Sequence, residues 1–173
     1  TLKLDSANPY NDKRTTSLRL TVAQASAGHP AGVANTGYWG IPVRPHTRYR
    51  ASLLVRAEPG FPGPMTLSIV SEDGSVVYAK EKLSGLTPQW CRRQTTLKTG
   101  RSKPTAKACF RITLDQPGTI WLGFMSLFPP TWNDRPNGSR KDLMQMLVDL
   151  KPRFLRFPGG NYLEGDTIQT RFQ

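Results

Sequence analysis

The sequence predicts a mainly β protein: an antiparallel jelly-roll β-sandwich followed by a helix–strand unit of an α/β sheet or barrel. Three observations predict it. Between residues 17 and 124, apolar and polar residues alternate at period two in short bursts, the pattern of strands with one buried face. Turn-forming pairs separate the bursts, among them Pro59-Gly60, Asp73-Gly74, Thr99-Gly100 and Pro117-Gly118. After Pro129-Pro130 the spacing becomes helical, and a short apolar run then stops at Pro158-Gly159-Gly160.

Taken in order, Leu18, Leu20 and Val22 form the first alternating set. Tyr49, Ala51, Leu53, Val55 and Ala57 form a longer one, with Arg48, Arg50 and Arg56 on its other face. Leu67 and Ile69 come next, then Val76 and Tyr78, then Ala108, Phe110, Ile112 and Leu114, and last Ile120, Leu122 and Phe124. Many short strands at this spacing argue for a sandwich. Its core should include Leu53, Val55, Phe110, Ile112 and Leu122. In the tail, Ser139 stands where an N-cap would, with Asp142 three residues on, and Leu143, Met144, Met146, Leu147 and Leu150 recur at helical spacing. This predicts a helix over 140–150, its apolar stripe facing a strand over 154–157.

The residues just past that strand carry the chemistry. Pro158 cannot donate a ladder hydrogen bond, and Gly159 and Gly160 allow backbone angles or a ligand approach closed to other residues. Polar Asn161 and acidic Glu164 come next. In α/β folds, sites sit just past the C-terminal ends of strands. Alternation puts Phe154 and Arg156 on one face and Leu155 and Phe157 on the other. Arg156 then points inward, to a barrel floor where a buried guanidinium needs acceptors, or is solvated on an edge strand. Spacing alone leaves both open.

Composition narrows the classes. Hydrophobic content is 37%, and no apolar run nears the roughly 20 residues that cross a bilayer. The stretch Thr1-Leu-Lys-Leu-Asp-Ser-Ala-Asn-Pro has no apolar core of a signal peptide, and the chain reads as a fragment of something longer, so its compartment stays open. With 24 basic against 12 acidic residues the formal charge is +12, which raises nucleic acid as a partner. The cations are scattered, however, with no zinc spacing and no basic amphipathic helix, so nucleic acid and membrane are both set aside. Cys91 and Cys109, with His29 and His46 beside prolines, make no metal set. The two thiols are either bridged or reduced. Asn137-Gly-Ser139 is a glycosylation sequon, although a capping role for Ser139 explains it equally.

Aromatic residues are the candidates for sugar contact in the sandwich. Tyr38, Trp39, Trp90 and Trp121 could stack on sugar rings, or fill the core as strand aromatics usually do. Trp90 opens a strand and Trp121 lies between Ile120 and Leu122, so at least one of them should be buried.

The stretch Ser126-Leu-Phe-Pro-Pro-Thr-Trp-Asn-Asp-Arg-Pro-Asn-Gly-Ser-Arg-Lys-Asp-Leu, followed by Leu150-Lys-Pro-Arg-Phe-Leu-Arg-Phe-Pro-Gly-Gly-Asn-Tyr-Leu-Glu-Gly-Asp, resembles glycoside hydrolase family 51, the retaining α-L-arabinofuranosidases. Gly37-Tyr-Trp-Gly-Ile-Pro-Val is similar to the module carried by many members, itself like family 4 carbohydrate-binding modules. The resemblance implies a sandwich over 1–128 and, over 129–173, the first helix and second strand of an incomplete (β/α)8 barrel. It implies a parent enzyme that releases terminal arabinofuranose from arabinoxylan or arabinan, without a cofactor or metal. Arg156 would support the nucleophilic glutamate, and Gly159, Gly160 and Asn161 would line the arabinofuranose pocket. Many bacterial and plant members carry Cys at the position of Asn161, which rests that contact more on Gly160. Both catalytic glutamates would lie on later strands, outside this chain, leaving Glu164 to organise its loop. The partners implied are an arabinose-containing glycan and the rest of the barrel. The alternative is a stand-alone carbohydrate-binding or structural sandwich without catalysis.

Overall fold

A computed structural model describes residues 1–156 of the chain. Ten strands and one α-helix appear among them: β1 Leu2–Asp5, β2 Ser17–Val22, β3 Ala31–Asn35, β4 Ile41–Val43, β5 Arg48–Ala57, β6 Met65–Ser71, β7 Val77–Leu83, β8 Cys91–Lys98, β9 Thr105–Leu114, β10 Gly118–Phe128 and α1 Lys141–Asp149. The chain divides into two compact units, Thr1–Pro130 and one beginning at Thr131.

The first unit is the sandwich. One antiparallel sheet runs β1-β2-β10-β5-β8 and the other β3-β9-β6-β7, with β4 also pairing β9. Alternation explains how they stack. Tyr49, Ala51, Leu53, Val55 and Ala57 all leave β5 on one face and are buried, joined by Leu20, Val22, Leu97, Ile120 and Leu122 of the same sheet. Met65, Leu67, Ile69, Phe110, Ile112 and Leu114 of the second sheet meet them in a single apolar cluster. All five core residues named from the pattern are buried there, and no helix interrupts residues 17–124. At about 25 cal/mol per Å² of apolar surface removed from water, this shared face is the main stabilising term.

The pattern missed the edges. In β1, Leu2 and Leu4 alternate correctly but are 48% and 78% exposed, since an edge strand can leave them uncovered. β3 carries Gly32, where an added Cβ would lie 1.9 Å from the Ile112 carbonyl oxygen. Close approach to β9 requires glycine there, which erases the apolar signal. Alternation places Val76 in a strand set. The ladder instead starts at Val77, after a register shift between Ile69 and Val70. Alternation also sends Phe124 inward after Leu122, yet it is 61% exposed. The β10–β5 register shifts between Gly123 and Ser126, and that bulge turns Phe124 and Met125 out. Cys91 and Cys109 are free and on different sheets, their thiols directed at the carbonyls of Val55 and Ser71.

In the second unit, α1 forms within the predicted span, but its start is built differently. Arg140 is the N-cap, without a side-chain cap bond. The Ser139 carbonyl instead accepts the Trp132 N–H at 2.9 Å, and Thr131 bridges Arg140, so Ser139 is occupied one residue too early to cap. Asp142 pairs with the Arg140 guanidinium, which holds its carboxyl at about 2. With Ser139 no longer a cap, exposed Asn137 keeps its sequon without that second explanation. Among the described residues of the predicted strand, 154–156 have no ladder, and Phe154 and Leu155 are 83% and 89% exposed. A strand needs a neighbour to pair with, and no described strand lies alongside; Phe157 falls outside the described residues. The stripe of α1 is accordingly uncovered, with no residue of the helix buried.

Candidate functional site

Of the barrel-side candidates, Arg156 is exposed. Gly159, Gly160, Asn161 and Glu164 lie outside the described residues. Among the described residues no three His, Cys, Asp or Glu side chains converge on a metal position, and no helix is long and apolar enough to cross a membrane.

The sugar-stacking candidates Tyr38, Trp39, Trp90 and Trp121 separate into two groups. Tyr38 and Trp39 sit together on the 36–40 excursion between β3 and β4, which lie end to end along one side of β9. Their rings meet edge-on at 4.7 Å and are 88% and 86% exposed. Gly37 and Gly40 shape this loop with φ of 66° and 92°. An added Cβ at Gly40 would lie 1.9 Å from the Ala106 carbonyl oxygen. A recess of about 190 Å³ beside the pair also includes Glu72 and Lys107.

Trp90 immediately precedes β8 of the other sheet. Neither it nor Trp121 is fully buried, contrary to expectation, because both stand on the outer face, away from the core. There Arg19 and Arg56 flank Trp121 in register on β2 and β5. Arg56 lies 4.2 Å from the Trp121 ring centre and 5.9 Å from that of Trp90, and Arg19 lies 5.6 Å from Trp121. Asp5 accepts the Trp121 Nε1–H at 2.8 Å. That bond first, then the Ala7 N–H, with smaller help from Arg19 and Arg56, holds the Asp5 carboxyl below its usual range.

Beside this ladder opens a cleft of about 370 Å³. Leu54 and Gly123 are paired on its floor, and an added Cβ on Gly123 would sit 3.3 Å from the Leu54 Cβ and 3.7 Å from Trp90. Trp90 forms one wall, fixed by its Nε1–H to the Asn8 carbonyl at 3.1 Å and by the edge of Tyr10 at 6.1 Å. Phe124, thrown outward by the bulge, forms another, with Arg14 stacked 4.6 Å from its ring centre. The 10–14 loop is pinned by the Asn11 Oδ1, which accepts the N–H groups of Lys13 and Arg14 at 3.1 and 2.8 Å. Alternation hides Phe124 by assigning it inward, and Tyr10 and Arg14 lie in a stretch without periodicity. The run Leu122-Gly-Phe-Met, with two apolar residues after a mid-strand glycine, is the signal that could have revealed the bulge.

No family model matches the chain. Curated relatives do. Over 168 residues it is 32% identical to α-L-arabinofuranosidase 1 of Arabidopsis thaliana, covering 94% of this chain and 24% of that protein. Over 178 residues it is 28% identical to α-L-arabinofuranosidase A of Aspergillus kawachii, covering 100% of this chain and 28% of the other. Among solved structures, an arabinose-bound MgGH51 α-L-arabinofuranosidase superposes with a TM-score of 0.82 at 35% identity, over 100% of this chain and 29% of its own.

Along nearly its whole length the chain is similar to a segment of α-L-arabinofuranosidases, among them a family 51 enzyme. It spans about a quarter of the length of the curated arabinofuranosidases it matches. A family 4 carbohydrate-binding module shares the fold alone, with a TM-score of 0.53 at 14% identity over 73% of this chain. The arabinofuranosidase match extends through the helical unit, whereas the module's covers a share close to the sandwich alone.

Proposed function

We propose that this chain is the sandwich and early-barrel segment of a retaining α-L-arabinofuranosidase acting on arabinoxylan or arabinan, and that catalysis needs strands it does not contain. The observation that carries this reading is the 0.82 superposition with a family 51 enzyme along the whole chain, past Pro130 and through α1. A stand-alone binding module is favoured by the sandwich match only, and leaves the helical unit without a use.

Retaining hydrolysis of a furanoside needs two carboxyl groups about 5–5.5 Å apart. One attacks the anomeric carbon. The other protonates the leaving oxygen, then takes the proton of the incoming water. This chain's part is to position. Arg156, an always-charged planar fork, would hydrogen-bond the nucleophilic glutamate, favour its ionised form and fix its attack angle. The backbone at Gly159 and Gly160 and the side chain of Asn161 would line the arabinofuranose pocket, with Glu164 ordering their loop. In the parent the sandwich would be an insertion between the first barrel strand and α1. No cofactor is called for, because the chemistry is proton transfer and displacement by carboxylates.

The test is to isolate the source protein bearing this sequence, weigh it intact, and assay it with an aryl α-L-arabinofuranoside beside the 173-residue chain. A species about three to four times as long that hydrolyses the substrate, with the short chain inert, is expected. A source protein of this length, or turnover by the chain that is lost in Glu164→Gln, would overturn the reading.

A further inference from the structure

We propose that the cleft on the outer face of the β1-β2-β10-β5-β8 sheet binds an acidic glycan, its sugar ring between Trp90 and Phe124 and a uronate carboxylate on Arg14 and Lys13. The inference goes beyond the arabinofuranosidase reading and stands on the cleft alone.

The space is built rather than left over. A glycine inside a strand weakens it and marks a place of close approach; any side chain at Gly123 would occupy the floor against Leu54 and Trp90. The adjacent bulge costs ladder pairing in order to expose a phenylalanine, an arrangement frequent beside binding sites. Trp90 is tethered at its nitrogen, the Asn11 turn fixes the backbone of Lys13 and Arg14, and the Arg14 side chain rests on Phe124, so Lys13 is the one long side chain of the rim left to order on binding. A volume of about 370 Å³ lies at the lower end of ligand clefts, ~300–1,000 Å³.

The lining selects the ligand. Aromatic walls match the C–H faces of a sugar ring, and Thr15 and Thr16, which also line the cleft, are of a kind that can hydrogen-bond its hydroxyls. Neither requires charge, yet two cations stand at the same rim. Lys13 has one loose partner, exposed Asp12 at 3.9 Å, and among the described residues no carboxylate is within ion-pair distance of Arg14. A neutral glycan leaves both cations unused, whereas a uronate accepts from the Arg14 fork while its ring stacks beside Phe124. The net charge of +12 favours the approach of a polyanion. Nucleic acid would use a continuous basic track, and two cations in a one-ring cleft do not supply one.

The experiment is calorimetric titration of the 173-residue chain with an oligogalacturonide, a glucuronic-acid-substituted xylo-oligosaccharide and a neutral arabinoxylo-oligosaccharide of equal length, at low and high salt. The expected result is binding of at least one uronate at least about tenfold tighter than the neutral glycan, weakened by salt. Arg14→Gln, an exposed change that leaves the fold intact, should cost about tenfold, as loss of one charge-assisted hydrogen bond does. Gly123→Ala should abolish binding while the circular dichroism spectrum is unchanged. Equal affinity for the neutral glycan, an unaffected Arg14→Gln, or binding displaced by duplex DNA and indifferent to both variants would overturn the proposal.

Discussion

The bulge in β10 can be tested by comparing two neighbouring truncations. Leu122 and Phe124 belong to one alternating set, so simple alternation makes both core residues of similar worth. The structure separates them: Leu122 is 1% exposed inside the apolar cluster and Phe124 is 61% exposed outside it. Leu122→Ala therefore removes a fully buried side chain and leaves a cavity, at about 2–5 kcal/mol. Phe124→Ala removes surface area and one stacking contact with Arg14, together about 0.5–1 kcal/mol. With a urea dependence of about 2 kcal/mol per molar, the first should lower the unfolding midpoint by about 1–2.5 M and the second by about 0.5 M or less. Tryptophan fluorescence in a urea titration reads both, since Trp90 and Trp121 report on the same sheet. A Phe124→Ala midpoint as low as that of Leu122→Ala would refute the bulge, and the wall it gives the cleft would go with it.

Other positions carry expectations of their own. In the parent enzyme Arg156→Ala should lower kcat by about a hundredfold or more, the equivalent of ~2.7–4 kcal/mol for one preorganised contact, with Arg156→Lys recovering part. On the role proposed for Arg156, the acidic limb of its pH–rate profile should move upward, because the nucleophile would lose the charge that favours its ionised form; an unmoved limb with near-normal kcat would leave Arg156 structural. Asp73 is held at about 2, below its ordinary 3.8, first by the Ser71 hydroxyl, then by the Ser75 N–H and hydroxyl. Its contribution to stability is complete above the ordinary value and is lost as pH falls through the depressed one. Asp73→Asn should thus flatten the change in melting temperature between pH 3.8 and about 2, and an acid limb as steep as the wild type's would contradict this. Gly60→Ala meets no neighbouring atom and should suffer only the left-handed backbone penalty of about 1–2 kcal/mol, whereas Gly40→Ala, at φ of 92° and against the Ala106 carbonyl, should destabilise by more than that penalty in a thermal melt. A smaller loss at Gly40 than at Gly60 would contradict the close approach.

Legibility tracked burial. Strands with one face in the core declared themselves, because Tyr49 to Ala57 and Ala108 to Leu114 must alternate to fill a shared interior. Edge strands did not: β1 leaves its leucines uncovered, and β3 needs Gly32 where its pattern would otherwise show. The Ser139 cap failed because its carbonyl was claimed by Trp132, a contact invisible to local spacing. The strand expected at 154–157 depends on a neighbour for its ladder, and periodicity in one segment says nothing about a partner. At the sites, Tyr38, Trp39 and Trp90 were visible as residue types, but their division between two sheets was not. Phe124, Tyr10 and Arg14 came together through a bulge and an Asn11 turn, each acting against the simple period.

The proposed parent enzyme works by retention at the anomeric carbon. Proton NMR of the parent protein turning over an aryl α-L-arabinofuranoside in the presence of methanol tests it most directly. Methyl α-L-arabinofuranoside and α-arabinofuranose are expected as the first products, the outcome of two displacements at one carbon. First-formed β products, or no cleavage by a protein that carries this sequence in full, would contradict it.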